Sequence, residues 1–133
     1  MNATDDLSAE WLTRAQSAVN ADPKFRKRGS VDTQMGVKVG ERAFVVSFAA
    51  FQCEKVREMN PLDARDADFI VEMSPTQWQR FLAGRRTGDG RTLIDLDTTD
   101  AIVKAANPRK KLDFLRYHTS LQAFFDAGAA AAQ

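Results

Sequence analysis

Leu7, Trp11, Ala15, Ala18 and Val19 recur at helical spacing, so their side chains fall on one stripe. Asp5, Asp6 and Ser8 offer caps at the start of this helix. Asn20-Ala21-Asp22-Pro23 ends it, because a residue before proline avoids helical backbone. A basic loop over 24–29 follows. From Ser30 the period falls to two. Met35, Val37 and Val39 alternate with Gly36 and Lys38, which predicts a strand. Gly40-Glu41 predicts a tight turn into a second strand over 42–51. There Phe44, Val46 and Phe48 share one face, and Val45, Ser47 and Ala49 share the other. Few charges on either face predict an interior strand. A more polar third strand is expected over 53–56, a loop over 61–67, and a fourth strand over 68–73 with Phe69, Val71 and Met73 on one side.

Ser74-Pro75-Thr76-Gln77 is the sharpest local signal. Serine caps, proline takes the first helical position, and glutamine three residues on closes a capping box. The helix carries Trp78, Phe81 and Leu82, with Gly84 as its stop. Gly88-Asp89-Gly90 reads as a turn, 92–96 as an apolar patch of no clear type, and 101–106 as a last strand. Asn107-Pro108 repeats the cap-then-proline pattern. A long helix then carries Phe114, Tyr117, Leu121, Phe124 and Phe125 to about residue 127, with a frayed tail over 128–133. Strands cluster early and helices surround them. This order predicts a single α+β domain over 1–133, with an antiparallel sheet covered by helices on one face.

The run from Asp68 to Gly84, DFIVEMSPTQWQRFLAG, resembles the centre of the sterol carrier protein 2 family. There an acidic residue opens a strand, a serine caps a helix, and an aromatic, a leucine and a glycine follow at this spacing. Residues 102–108 with the helix after them are also similar to that family's last strand and C-terminal helices. Ala106 and Asn107 stand where the family often has glycine and aspartate, and 92–100 has no counterpart. The resemblance implies a five-stranded sheet, helices over one face and an apolar tunnel between them. It also implies a ligand such as a fatty acid, an acyl-CoA or a sterol.

Composition narrows the alternatives. The chain is 44% hydrophobic and 28% charged, ordinary for a globular domain, and its net charge of +1 recruits neither nucleic acid nor acidic membrane. No apolar run approaches a membrane span, so stable membrane insertion is not expected. The acidic N-terminus lacks the apolar stretch of a signal peptide, and the one cysteine, Cys53, permits no intrachain disulfide. Both point to the cytoplasm.

The candidate ligand-binding set is Phe44, Val46, Phe48, Phe69, Val71, Met73, Trp78, Phe81, Phe114, Leu121 and Phe124. By period alone these residues form an ordinary core. With the resemblance, part of the set lines a lipid cavity. Arg109, Lys110 and Lys111 crowd the first turn of a helix whose amino end is already positive, which suits an anionic head group. Asp95, Asp97 and Asp100 lack calcium-loop spacing, and one histidine, His118, with one cysteine cannot assemble a zinc site. Neither a metal nor a cofactor is expected. The reading is therefore non-enzymatic carriage of a lipid or sterol-like molecule. The rivals are a cofactor-independent enzyme or accessory subunit acting on a lipid-like substrate through His118 and Tyr117, and a homodimerising module that pairs through its sheet, with Val45 and Phe51 exposed.

Overall fold

The computed structural model describes residues 6–59, 67–87 and 90–131. Helix α1 spans Ala9–Ala21; Ser8 caps it by accepting a hydrogen bond from the Trp11 amide at 3.1 Å. Leu7 and Leu12, on either side of the cap, are both buried, the arrangement of a hydrophobic staple. The expected basic loop is a short helix, α2 (Pro23–Lys27), because Asp22 caps it and Pro23 supplies its first position. Strands β1 (Thr33–Val39), β2 (Arg42–Ala49) and β3 (Gln52–Glu58) form a meander. Gly40 turns between the first two with φ at 61°, in the left-handed region that glycine adopts without penalty.

β4 (Phe69–Met73) lies beside β1, and β5 (Val103–Lys104) beside β4, so the sheet order is β3-β2-β1-β4-β5. β4 runs parallel to β1. The sheet is mixed, which corrects the antiparallel expectation. After the meander the chain leaves one edge and re-enters on the far side of β1 in the same direction as β3. Alternating apolar residues fix which face a strand buries but not which way it runs. The interior position expected for β2 is found: it lies between β1 and β3.

Helix α3 spans Pro75–Thr87. Its capping box closes as the pattern predicts, with Gln77 N donating to Ser74 Oγ at 3.1 Å and Ser74 N to Gln77 Oε1 at 2.8 Å. Gly84 does not end it. The helix runs one turn further, and Gly84 is instead small because Gly90 N donates to its carbonyl at 3.1 Å. The untyped patch is helix α4 (Leu93–Asp100), capped by Thr92 and Asp95 in a second closed box. Helix α5 spans Pro108–Ala131, with Asn107 accepting from Lys110 N at 3.0 Å. It continues to Ala131, into the stretch expected to fray, because Gly128 and Ala129 are buried in its packing; 132–133 lie outside the described residues.

The inner face of the sheet and the helices enclose one core. α1 and α5 cross closely at Gly128, against the Trp11 ring and Ala15. α1 also shields the open edge of β3. Asn20 exchanges two hydrogen bonds with the Cys53 backbone, both at 2.8 Å, and Gln16 adds a third at 3.1 Å. These satisfy backbone groups that an edge strand would leave open to pairing with another chain.

Candidate functional site

The eleven residues expected to line a ligand cavity are brought together. Phe44, Val46 and Phe48 on β2 and Phe69, Val71 and Met73 on β4 form the inner sheet face. Trp78 and Phe81 on α3 and Phe114, Leu121 and Phe124 on α5 join the same core. All eleven are at most 3% exposed. Their rings interlock. Phe48 meets Phe124 edge to face with centroids 5.5 Å apart, Phe69 meets Phe114 at 5.6 Å, and Phe81 meets Phe125 at 5.7 Å. Such spacings are those of close aromatic packing.

Open space lies at the rim of this core. A cavity of about 630 Å³ sits where the β1–β2 turn meets the start of α3 and the residues before α1. Most of its surface is apolar, from Leu7, Val39, Pro75 and Trp78; Asp6, Glu41, Arg42, Thr76, Gln79 and Arg80 add polar and charged groups. Each wall has a local cause. The Gly40 turn brings the end of β1 and the start of β2 side by side. The capping box places Pro75 at the mouth, and one helical turn on, Trp78 points back into the core. Arg42 Nη1 donates to the Leu7 carbonyl at 3.0 Å, and Gln79 Nε2 to Asp6 Oδ1 at 3.1 Å, fixing the segment before α1 over one side. Trp78 therefore has two environments. It borders the cavity, and it packs edge to face on Trp11 with centroids 5.0 Å apart. These are the only tryptophans of the chain.

Of the expected lining set only Trp78 borders this cavity, while Met73 borders a neighbouring one of about 410 Å³. Leu7, Val39, Arg42 and Pro75 were not singled out from sequence as ligand residues. The Gly40 turn and the Ser74 cap, which create the rim, were both legible.

The basic first turn of α5 is largely engaged by acidic partners. Lys110 Nζ pairs with Asp68 at 2.9 Å, and Lys111 Nζ with Asp97 at 2.5 Å. Arg109 is exposed. Asp68 is a junction: Thr33 Oγ1 donates to it at 3.0 Å and Gln34 N at 2.9 Å, so one carboxylate ties β1, β4 and α5 together. Partial burial pushes the Asp68 carboxyl up. The Gln34 amide, Lys110 and Thr33 together outweigh that and hold it below the usual carboxylate range. Hydrogen bonding to Asp68 raises the Lys110 ammonium in turn.

The three aspartates of the metal question have separate duties. Asp95 closes the α4 cap, and the Thr92 amide and hydroxyl lower its pKa. Asp97 accepts from Val103 N at 2.9 Å and pairs with Lys111, while Asp100 is exposed. Among the described residues no group of three or more histidine, cysteine or acidic side chains can hold a metal ion. Burial pushes the Cys53 thiol up to about 12, which suppresses its thiolate. His118 borders a recess of about 210 Å³ with Thr92 and Gln122. Of the sheet positions proposed for pairing, Val45 is wholly buried and Phe51 is half exposed. Among the described residues no helix is long and apolar enough to cross a membrane. Comparison with protein-family models, curated proteins and solved structures finds no match for this chain.

Proposed function

We propose that the protein is a cytoplasmic carrier of the sterol carrier protein 2 type, which holds an apolar, lipid-like ligand without changing it chemically. The observation that carries this reading is the rim cavity. Its volume of about 630 Å³ falls within the roughly 300–1,000 Å³ of ligand sites, and its lining is mostly apolar with a few polar groups. Support also comes from the order of elements. A helix, a three-stranded meander, a strand, a capped helix and a late strand before a long helix follow one another in the order that the resemblance implies, with α2 and α4 as additions to it. A fatty acyl chain or sterol edge would rest on Leu7, Val39, Pro75 and Trp78, and Arg42 would face its polar end. The driving force is removal of apolar surface from water, worth about 25 cal/mol per Å².

Titration with a fluorescent long-chain fatty acid tests this. One saturable site per chain is expected. Val39→Trp should fill the cavity and weaken binding by more than about tenfold, since loss of only ~1.4 kcal/mol suffices. The absence of saturable binding, or an unaltered affinity in Val39→Trp, overturns the proposal.

A further inference from the structure

The Gly40 turn borders more than the rim cavity. On the face of the sheet turned away from Phe44, Val46, Phe69 and Val71, a second cavity of about 580 Å³ reaches the same Gly40-Glu41 turn. It lies against Lys38, Ala43, Met59, Ile70, Glu72 and Lys104. The strand period puts these positions on the outer face. Lys38 alternates with Val37 and Val39, Ala43 with Phe44, and Ile70 and Glu72 with Phe69 and Val71. The hollow has a local cause. Ala43 stands between Lys38, its partner on β1, and Met59, whose amide donates to the Ala43 carbonyl at 3.0 Å. The longer side chains on either side leave space over the small one. The cavity of about 410 Å³ lies between the other two. It shares Gly40 and Pro75 with the rim cavity, and Lys38, Gly40, Glu72 and Lys104 with the outer one. Among the described residues Gly40 alone borders all three. Its missing side chain keeps the saddle low: a Cβ there would stand 3.4 Å from Pro75 Cγ and fill the notch between the turn and α3.

We propose that the outer cavity is the second half of the ligand site: the chain of a long fatty acid leaves the rim cavity, bends over Gly40 and ends against Ala43, Met59 and Ile70. This rests on the carrier reading and adds to it the length and flexibility of the ligand. The volume of the outer cavity, like that of the rim, falls within the range of ligand sites. Its charges do not select an anionic head group. Glu41 and Glu72 balance Lys38 and Lys104, and Lys38 Nζ lies 3.4 Å from Glu72 Oε2. Asp100, on the cavity between, adds a further carboxylate. The fatty-acid carboxylate therefore stays on the rim side with Arg42, and the outer cavity takes the tail. A rigid sterol ring system cannot follow the bend over the turn. An unbranched chain can, and each methylene it removes from water raises affinity about three- to fourfold.

Calorimetric titration of the intact protein with octanoate, dodecanoate, palmitate and stearate is the test. Affinity should keep rising from dodecanoate to stearate, by about three- to fourfold per methylene. An affinity that levels off at dodecanoate overturns the proposal, because the chain then ends within the rim cavity. Ala43→Trp should fill the hollow on the outer face. It should weaken stearate binding by at least about tenfold, with the loss vanishing as the chain shortens to octanoate. No loss for stearate, or an equal loss at every length, overturns the proposal. So does cholesterol that displaces labelled stearate as readily as palmitate does. A ligand-free dimer that Ala43→Trp abolishes also overturns it and assigns the outer cavity to a second copy. The wild-type series decides the matter even if Ala43→Trp fails to fold. Absence of binding at every chain length sinks the carrier reading itself. Binding that levels off at dodecanoate leaves the carrier reading standing and removes only this extension of it.

Discussion

Replacing Gly128 by alanine should separate α1 from α5, and the structure fixes the size of the effect. A Cβ built at Gly128 would stand 2.5 Å from Cη2 of Trp11, 2.8 Å from its Cζ2 and 2.9 Å from Cβ of Ala15. All three are closer than carbon atoms approach. The Ala15 Cβ is fixed to the α1 backbone and cannot rotate away. The Trp11 ring is held by Trp78 at 5.0 Å and Phe125 at 6.3 Å between centroids. Overpacking a tight core costs about 1–3 kcal/mol, and the upper end applies where backbone must move. The added helix propensity returns about 1 kcal/mol. The net is a destabilisation of ~2 kcal/mol, or a fall in melting temperature of roughly 5–10 °C for a domain of this size. Chemical denaturation followed by tryptophan fluorescence reads it directly. Trp11→Phe removes both offending ring atoms, and it also removes Trp11 Nε1, a buried donor that has no hydrogen-bond partner among the described residues. The double variant should therefore be more stable than the sum of the two single changes by about 1 kcal/mol or more. If Gly128→Ala is at least as stable as the wild type, the close crossing of α1 and α5 is wrong.

Asp68 should govern the acid limb of the stability curve. Its folded pKa lies below the unfolded value, so its contribution is fully present above that value of 3.8 and disappears as pH falls through the folded pKa. Asp68→Asn should flatten that limb and lower stability at neutral pH by about 1–2 kcal/mol, as measured by urea denaturation across pH; an unchanged limb counts against the junction. Ser74→Ala should cost about 0.5–2 kcal/mol through loss of the α3 cap, and an unaltered midpoint would refute the capping role. Cys53 should not react with a thiol reagent at neutral pH until the protein unfolds, because burial holds its pKa near 12; prompt reaction in the native state would contradict its burial.

What the chain revealed in advance follows from the range of each signal. Caps are local chemistry. Ser74 with Gln77 is readable from a three-residue spacing and Asn107 from the proline that follows it, and both caps are found as hydrogen bonds. Strand faces are set by period two, so Phe44, Val46 and Phe48 could be assigned to one side. The parallel register of β4 on β1 depends on how the chain crosses the sheet, and no period encodes it. α4 was missed because Leu93 and Leu96 alone show a single helical step, and its second box, Thr92 with Asp95, uses aspartate where glutamate or glutamine is the usual partner. The rim cavity has the same origin as the missed register. Leu7, Val39 and Pro75 come from three separate stretches of chain, so only tertiary structure shows that they face one space. The large aromatics carried a strong signal, but it was a signal of burial, and burial is what they achieve.

The carrier account is tested most directly by hydrogen exchange of the backbone amides, recorded with and without a saturating long-chain fatty acid. The account places the ligand between the β1–β2 turn and the start of α3. It predicts that added protection concentrates over residues 39–42 and 76–80, and at the residues just before α1, while the Phe48 and Phe124 region stays as it was. Protection confined to the core strands and α5, or no change at any amide, would contradict it.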